Sequence, residues 1–197
     1  MTAAVAPVAP DAVLRFWLEE CSPADWYTQD DALDAKIRDR FGATLDQTLP
    51  LSKPLSQWRT TPEGTLALLI LTDQFPRNMF RGTARAFATD NLARAVTKWA
   101  ISRGFDRRIE GTARQFFYLP LEHSEVIPDQ ERAVRLIAMW GEAPQTLLHA
   151  RAHRAIIRRF GRFPFRNAAL GRMTSPAEQA FIDDGGYGAI LRDLQAG

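Results

Sequence analysis

The chain has 197 residues, of which 46% are hydrophobic and 24% charged, and its net charge is +2. That balance excludes an intrinsically disordered chain and gives enough length for a substantial core. A single thiol, Cys21, excludes an internal disulfide framework and suits a reducing, cytoplasmic compartment. The longest strongly apolar run, LALLIL at 66–71, is far short of the roughly 20 residues that span a bilayer.

Residues 1–10, MTAAVAPVAP, lack a basic start and are broken by Pro7 and Pro10, so they read as a disordered leader rather than a signal peptide. The rest, 11–197, reads as a single all-helical domain with no convincing alternating strand run. Over 11–21, Val13, Leu14, Trp17 and Leu18 share one helical stripe. Over 30–41, Leu33, Ile37 and Phe41 do the same, and Asp30 and Asp31 suit that helix's N-terminus. Residues 42–60, with Pro50 and Pro54, read as looser chain.

Thr61 as N-cap, Pro62 at the first helical position and Glu63 in the first turn predict a helix start. The helix runs through TLALLILTDQF, is apolar almost all round, and is expected at the centre of the core. Pro76 is expected to kink or end it. Further helices are predicted at about 89–103, 110–119, 128–141 and 144–160, the last closed by Gly161 as a left-handed C-cap. SPAE at 175–178 is a capping box that opens a last helix through Phe181. No repeat of 30–45 residues is evident.

The charge is unevenly spread. Residues 1–50 hold nine acids and four bases, whereas 144–172 hold seven Arg, two His and no acid. At about 100° per residue, His149 and His153 share the apolar face of the 144–160 helix, and Arg151, Arg154, Arg158 and Arg162 line the opposite one. Either the arginines are a solvated face, or they form an anion-binding region. A His pair at i, i+4 has metal-ligand spacing, but no H-E-x-x-H, Glu-x-x-His or cysteine cluster supports it, so no metal site is predicted. RQFFYLPLEHSE at 114–125 sets aromatic residues directly before Glu122, His123 and Glu125. If the fold brings that stretch against 149–153, then Glu122, His123, Glu125, His149 and His153 are the candidate acid–base residues.

Two segments resemble each other, DQFPRNMFRG at 73–82 and GRFPFRN at 161–167. Asp73 lies on a buried helical face and must be paired; Arg77 at i+4 is its expected partner. Both segments can be helix exits locked by Arg and Asn. Alternatively, Asp73, Arg77, Asn78, Arg81, Arg114, Arg162, Arg166 and Asn167 are ligand-binding candidates, with an anion as the ligand.

FWLEE, LALLILTDQFPRNMFRGTARAFATD, RQFFYLPLEHSE and HRAIIRRFGRFPFRNAALGRMTSPAEQAF are together similar to the bacterial domain-of-unknown-function family 924, over about residues 11–185. The resemblance implies an all-α fold of the tetratricopeptide-repeat-like superfamily, an array of antiparallel helical hairpins with about 8 to 10 helices, and no established activity. It also implies a departure: the family pattern usually has His where this chain has Phe165.

Three functions remain open from the sequence. One is a helical scaffold that presents a groove to a protein or peptide. Another is a pocket for a small anionic molecule, held as ligand or as the substrate of an enzyme, built from the candidates above. Nucleic-acid binding is the third and least supported, since no recognition motif accompanies the arginines and the first 50 residues are acidic. The favoured reading is a binding protein for a small anionic ligand or a protein partner; the runner-up is an enzyme acting on an anionic small molecule. No cofactor is named by any motif.

Overall fold

A computed structural model describes residues 6–196. Its regular structure is helical, apart from one isolated bridge between Thr48 and Leu51. The α-helical segments are α1 (Pro10–Arg15), α2 (Asp31–Leu45), α3 (Lys53–Gln57), α4 (Pro62–Leu69), α5 (Phe75–Met79), α6 (Asp90–Ser102), α7 (Leu119–Glu122), α8 (Ile127–Trp140), α9 (Pro144–Phe160), α10 (Pro176–Asp183) and α11 (Gly186–Ala196). They fall into two compact units. The first comprises Arg85–Phe117 and the described residues up to Arg81; the second comprises Gly82–Ala84 and the described residues from Tyr118. Of the leader expected at 1–10, residues 1–5 lie outside the described residues. Val8 donates its backbone N–H to the Thr44 hydroxyl at 3.1 Å.

The first unit is organised around α4. Thr61 accepts from the Gly64 N–H and Pro62 occupies the first turn, as the sequence predicts. Every residue from 64 to 76 is buried, and burying each large aliphatic side chain contributes about 1.5–3 kcal/mol relative to leaving it exposed. The helix starts so close to the preceding turn that a Cβ on Gly64 would overlap the Trp58 carbonyl oxygen. Helices α1 and α6 pack against α4, and α2 packs against α5. An aromatic cluster fills the interior: the Phe41 ring lies 4.8 Å from Phe75 and 5.2 Å from Phe16, and Trp17 meets Phe75 edge-on at 5.4 Å.

Pro76 does not end this helix, although an end there is one of the two outcomes the sequence leads one to expect. The chain passes from α4 through a π turn, Ile70–Gln74, directly into α5. Pro76 has no N–H for the Thr72 carbonyl four residues back. The Thr89 hydroxyl donates to that carbonyl instead, at 2.6 Å. Arg77 likewise donates to the Asp73 carbonyl at 2.7 Å. Side chains thus take up the acceptors that the wider turn and the proline leave over, and the helix continues to Met79. Three expectations need correction. The 110–119 segment is a 3-10 helix, Gly111–Phe117, followed by the short α7, not an α-helix. The looser 42–60 stretch contains α3 and a 3-10 turn, Trp58–Thr60. The chain does not stop being helical after α10, because α11 follows.

The second unit is built on α8 and α9, which pack along one another and are joined by a short turn at Gly141, held in the left-handed region at φ 77°. α9 ends at Gly161, also left-handed, at φ 70°. Ser175 and Glu178 form the expected capping box on α10. α7 packs on α8 and α9, and α11 lies along α9. Ile156, Ile157, Phe163 and Phe181 form this unit's apolar cluster, with Phe160, Tyr187 and Ile190 packed against it.

Candidate functional site

The chain's three histidines all lie in the second unit, and two of them meet His153. His123 approaches its ring edge-on at 5.9 Å, and the Tyr187 ring stands 5.0 Å away. The helical spacing of His149 and His153 puts both on the face of α9 that looks toward α11. There the His149 Nδ1 and the Tyr187 hydroxyl share a hydrogen bond of 2.6 Å, with the two rings stacked at 6.0 Å. The His153 Nδ1 donates to the His149 carbonyl oxygen at 3.0 Å and lies 3.7 Å from Glu122 Oε2. Glu122, at the end of α7, is buried. Phe163 meets the His153 ring edge-on at 5.4 Å and carries the Arg166 guanidinium over its own face at 4.4 Å. Phe165, the position where a family resemblance leads one to expect His, is exposed, stacked on Phe163 at 5.3 Å and edge-on to Tyr187 at 6.5 Å.

Burial lowers the proton affinity of His149. It lowers that of His153 much further, with the neighbouring His123, Arg166 and His149 adding to the effect; the bond to the His149 carbonyl opposes it. The His153 ring is therefore neutral at physiological pH.

Glu125 is not part of this group. It takes both guanidinium nitrogens of Arg172, at 2.7 and 2.9 Å, and the Phe163 N–H at 2.9 Å. Burial pushes its carboxyl up, but these bonds outweigh burial and hold it below the usual range. Glu125 thus fixes the chain after α9.

The other candidates are spread over both units. In the first, Arg77 grips Asp90 with two nitrogens at 3.0 and 3.1 Å and lies 3.5 Å from the Asp73 carboxylate. Gln74 also donates to Asp73. Asn78 and Arg81 both donate to the buried Asp34, and Arg114 lies 3.7 Å from Asp106. In the second unit, Arg162 makes a two-pronged bond to Glu178, and Asn167, fully buried, reaches the Thr174 hydroxyl at 3.4 Å. The Arg162 bond, with help from the Ser175 N–H, holds the Glu178 carboxyl far below its ordinary value. Each of Arg77, Arg81, Arg114 and Arg162 therefore has a carboxylate of its own chain beside it.

The outer face of α9 differs. Arg151, Arg154, Arg158 and Arg159, with Ala155 and with Leu194 of α11, line an open groove of about 480 Å3. Glu131 alone serves both Arg154 and Arg158, at 3.1 and 2.5 Å. Arg159 lies over the Phe160 and Phe181 rings at 4.8 and 5.6 Å. Arg151 has no carboxylate partner among the described residues. The sequence put Arg151, Arg154, Arg158 and Arg162 on that face; α9 ends before Gly161, so Arg162 turns to Glu178 instead, and Arg159 and Leu194 were missed. It also missed Tyr187, whose only sequence signal is an aromatic residue three positions before Ile190 in a glycine-rich stretch. Among the described residues, no group of three or more His, Cys, Asp or Glu is arranged to hold a metal ion, and no helix is long and apolar enough to cross a membrane.

Residues 13–186 match the family described as "Bacterial protein of unknown function (DUF924)". The chain belongs to that family. A solved structure of a protein of unknown function from Agrobacterium tumefaciens is 41% identical, covers 89% of this chain and 97% of its own, and superposes with a TM-score of 0.83. No functionally curated protein matches the chain.

Proposed function

We propose that this member of the DUF924 family is a cytoplasmic binding protein for an anionic ligand, taken into the groove on the outer face of α9. The observation that carries this reading is the charge left over there. Of the four guanidinium groups there, Arg154 and Arg158 share one carboxylate, Glu131, and Arg151 and Arg159 have none. A concave, partly apolar wall raises the local potential and lowers the cost of binding an anion. Guanidinium groups present planar paired donors that match phosphate and carboxylate oxygens. Arg151 and Arg158 lie about 10 Å apart along the helix axis, at 1.5 Å per residue. That span suits a ligand with two or more separated negative charges.

An array of helical hairpins would offer the same groove to an acidic peptide, the second occupant compatible with this charge. Calorimetric titration with inorganic tripolyphosphate and with a hexaglutamate peptide tests both. Tripolyphosphate is expected to bind at low ionic strength and to weaken as salt is raised. Arg151→Ala is expected to weaken it roughly tenfold, the loss of one charge-assisted contact. Binding that is unchanged in an Arg151→Ala/Arg159→Ala variant would remove the proposal.

A further inference from the structure

The inward face of α9 carries a separate arrangement. A carbonyl oxygen can only accept, so the bond from His153 Nδ1 to the His149 carbonyl places the single proton of the neutral ring on Nδ1. The lone pair is then on Nε2, which makes no hydrogen bond among the described residues. The side chain is 16% exposed, so the ring is held in the structure without being sealed into it. Nε2 is not among the sealed-in polar atoms of the chain, so a water molecule can reach its lone pair.

The groups around the ring form a matched set. Glu122 of α7 lies 3.7 Å behind Nδ1. His123, His149 and Arg166 are the other charged or titratable groups acting on it, and Tyr187 of α11 packs over it. A buried carboxylate behind a histidine whose tautomer is fixed is the arrangement a general base needs: the base nitrogen is defined, and the charge gained on protonation is offset. Arg166, buried in the Pro164–Arg166 turn that follows α9, is close enough for its positive charge to act on the His153 ring.

We propose that His153 is the base of an acid–base site that hydrolyses a small activated ester or other acyl compound, with Nε2 taking a proton from the attacking water and Glu122 positioning and balancing the ring. In that step the water oxygen forms a bond to the acyl carbon as its proton passes to Nε2. The bond from that carbon to the leaving oxygen breaks, and the leaving group departs with the electron pair. The imidazolium then gives its proton to solvent or to the leaving oxygen. No oxidant, reductant or metal is required.

The site is independent of the arginine groove, so its test does not depend on the anion reading. The full chain is assayed with p-nitrophenyl acetate across pH 5 to 8, and in parallel its histidines are mapped by mass spectrometry after brief treatment with diethyl pyrocarbonate. The protein is expected to raise the rate about a hundredfold over buffer, with a pH midpoint below the ordinary histidine value. His153→Gln is expected to abolish the increase. Glu122→Gln is expected to move the midpoint to still lower pH, which loss of a purely structural carboxylate would not do. His153 is expected to be modified in the folded protein. A rate that survives His153→Gln overturns the proposal. So does an absence of His153 modification in the folded wild-type chain at every pH, a readout that stands even if a variant fails to fold.

Discussion

The two Phe-Pro segments share their letters and little else. In DQFPRNMFRG the helix runs through Pro76, because the π turn Ile70–Gln74, the Thr89 hydroxyl and the Arg77 guanidinium take up the acceptors the proline leaves. In GRFPFRN the helix has already ended at the left-handed Gly161, and the proline begins a 3-10 turn, Pro164–Arg166. The preceding residues decide the outcome: a fully buried apolar run continues past a proline, whereas a chain that has turned at glycine does not resume. Their arginines differ less. Arg77 and Arg81 have Asp34, Asp73 and Asp90 for partners in one, and Arg162 has Glu178 in the other. The contrast that bears on function is between these paired arginines and the under-paired set on the outer face of α9.

The largest effect that would break this comparison is expected at Asp34. Asp34→Ala removes the acceptor of both Asn78 and Arg81, and, with a discount because Arg81 is partly exposed, it should cost about 2–3 kcal/mol in urea denaturation. Thr89→Val keeps the shape but leaves the Thr72 carbonyl without its donor, and should cost about 1–2 kcal/mol by the same measurement. A neutral result would mean that the π turn alone carries the chain through Pro76.

Lowering pH should act on the second region instead. Burial reduces proton binding by His149 and His153 in the folded chain. The unfolded chain therefore takes up more protons as pH falls below about 6.5. Stability from these groups is complete above that value and is lost progressively below it. The urea midpoint should drop between pH 7 and pH 5.5, and His153→Gln should flatten that drop. The smallest change is expected from Glu178→Gln, since Arg162 is partly exposed: a slight fall in Tm, less than for Thr89→Val.

Much of this architecture is legible in local chemistry. Thr61 before Pro62, Ser175 with Glu178, and Gly161 each name a helix end through one hydrogen bond or one backbone angle, and each end is where the sequence puts it. The π turn was not legible, because adding one residue to a turn within an apolar run leaves the pattern of buried positions almost unchanged. Helix α11 was hidden by Gly186 and Gly188, which lower helix propensity, while its packing on α9 supplies what propensity lacks. In the candidate site, helical spacing alone put His149 and His153 on one face. It could not bring Tyr187 to His149, or Asp34 to Arg81, since those contacts depend on how distant segments pack. The same blindness made the paired arginines look as available for a ligand as the α9 arginines.

The most direct measurement is an NMR titration with tripolyphosphate, following the arginine side-chain Nε–H resonances at low ionic strength. The expected result is saturable shifts at Arg151, Arg154, Arg158 and Arg159, with Arg77, Arg81, Arg114 and Arg162 unmoved. Shifts centred on the paired arginines, or none anywhere at millimolar ligand, would contradict the assignment of the α9 groove as the anion site.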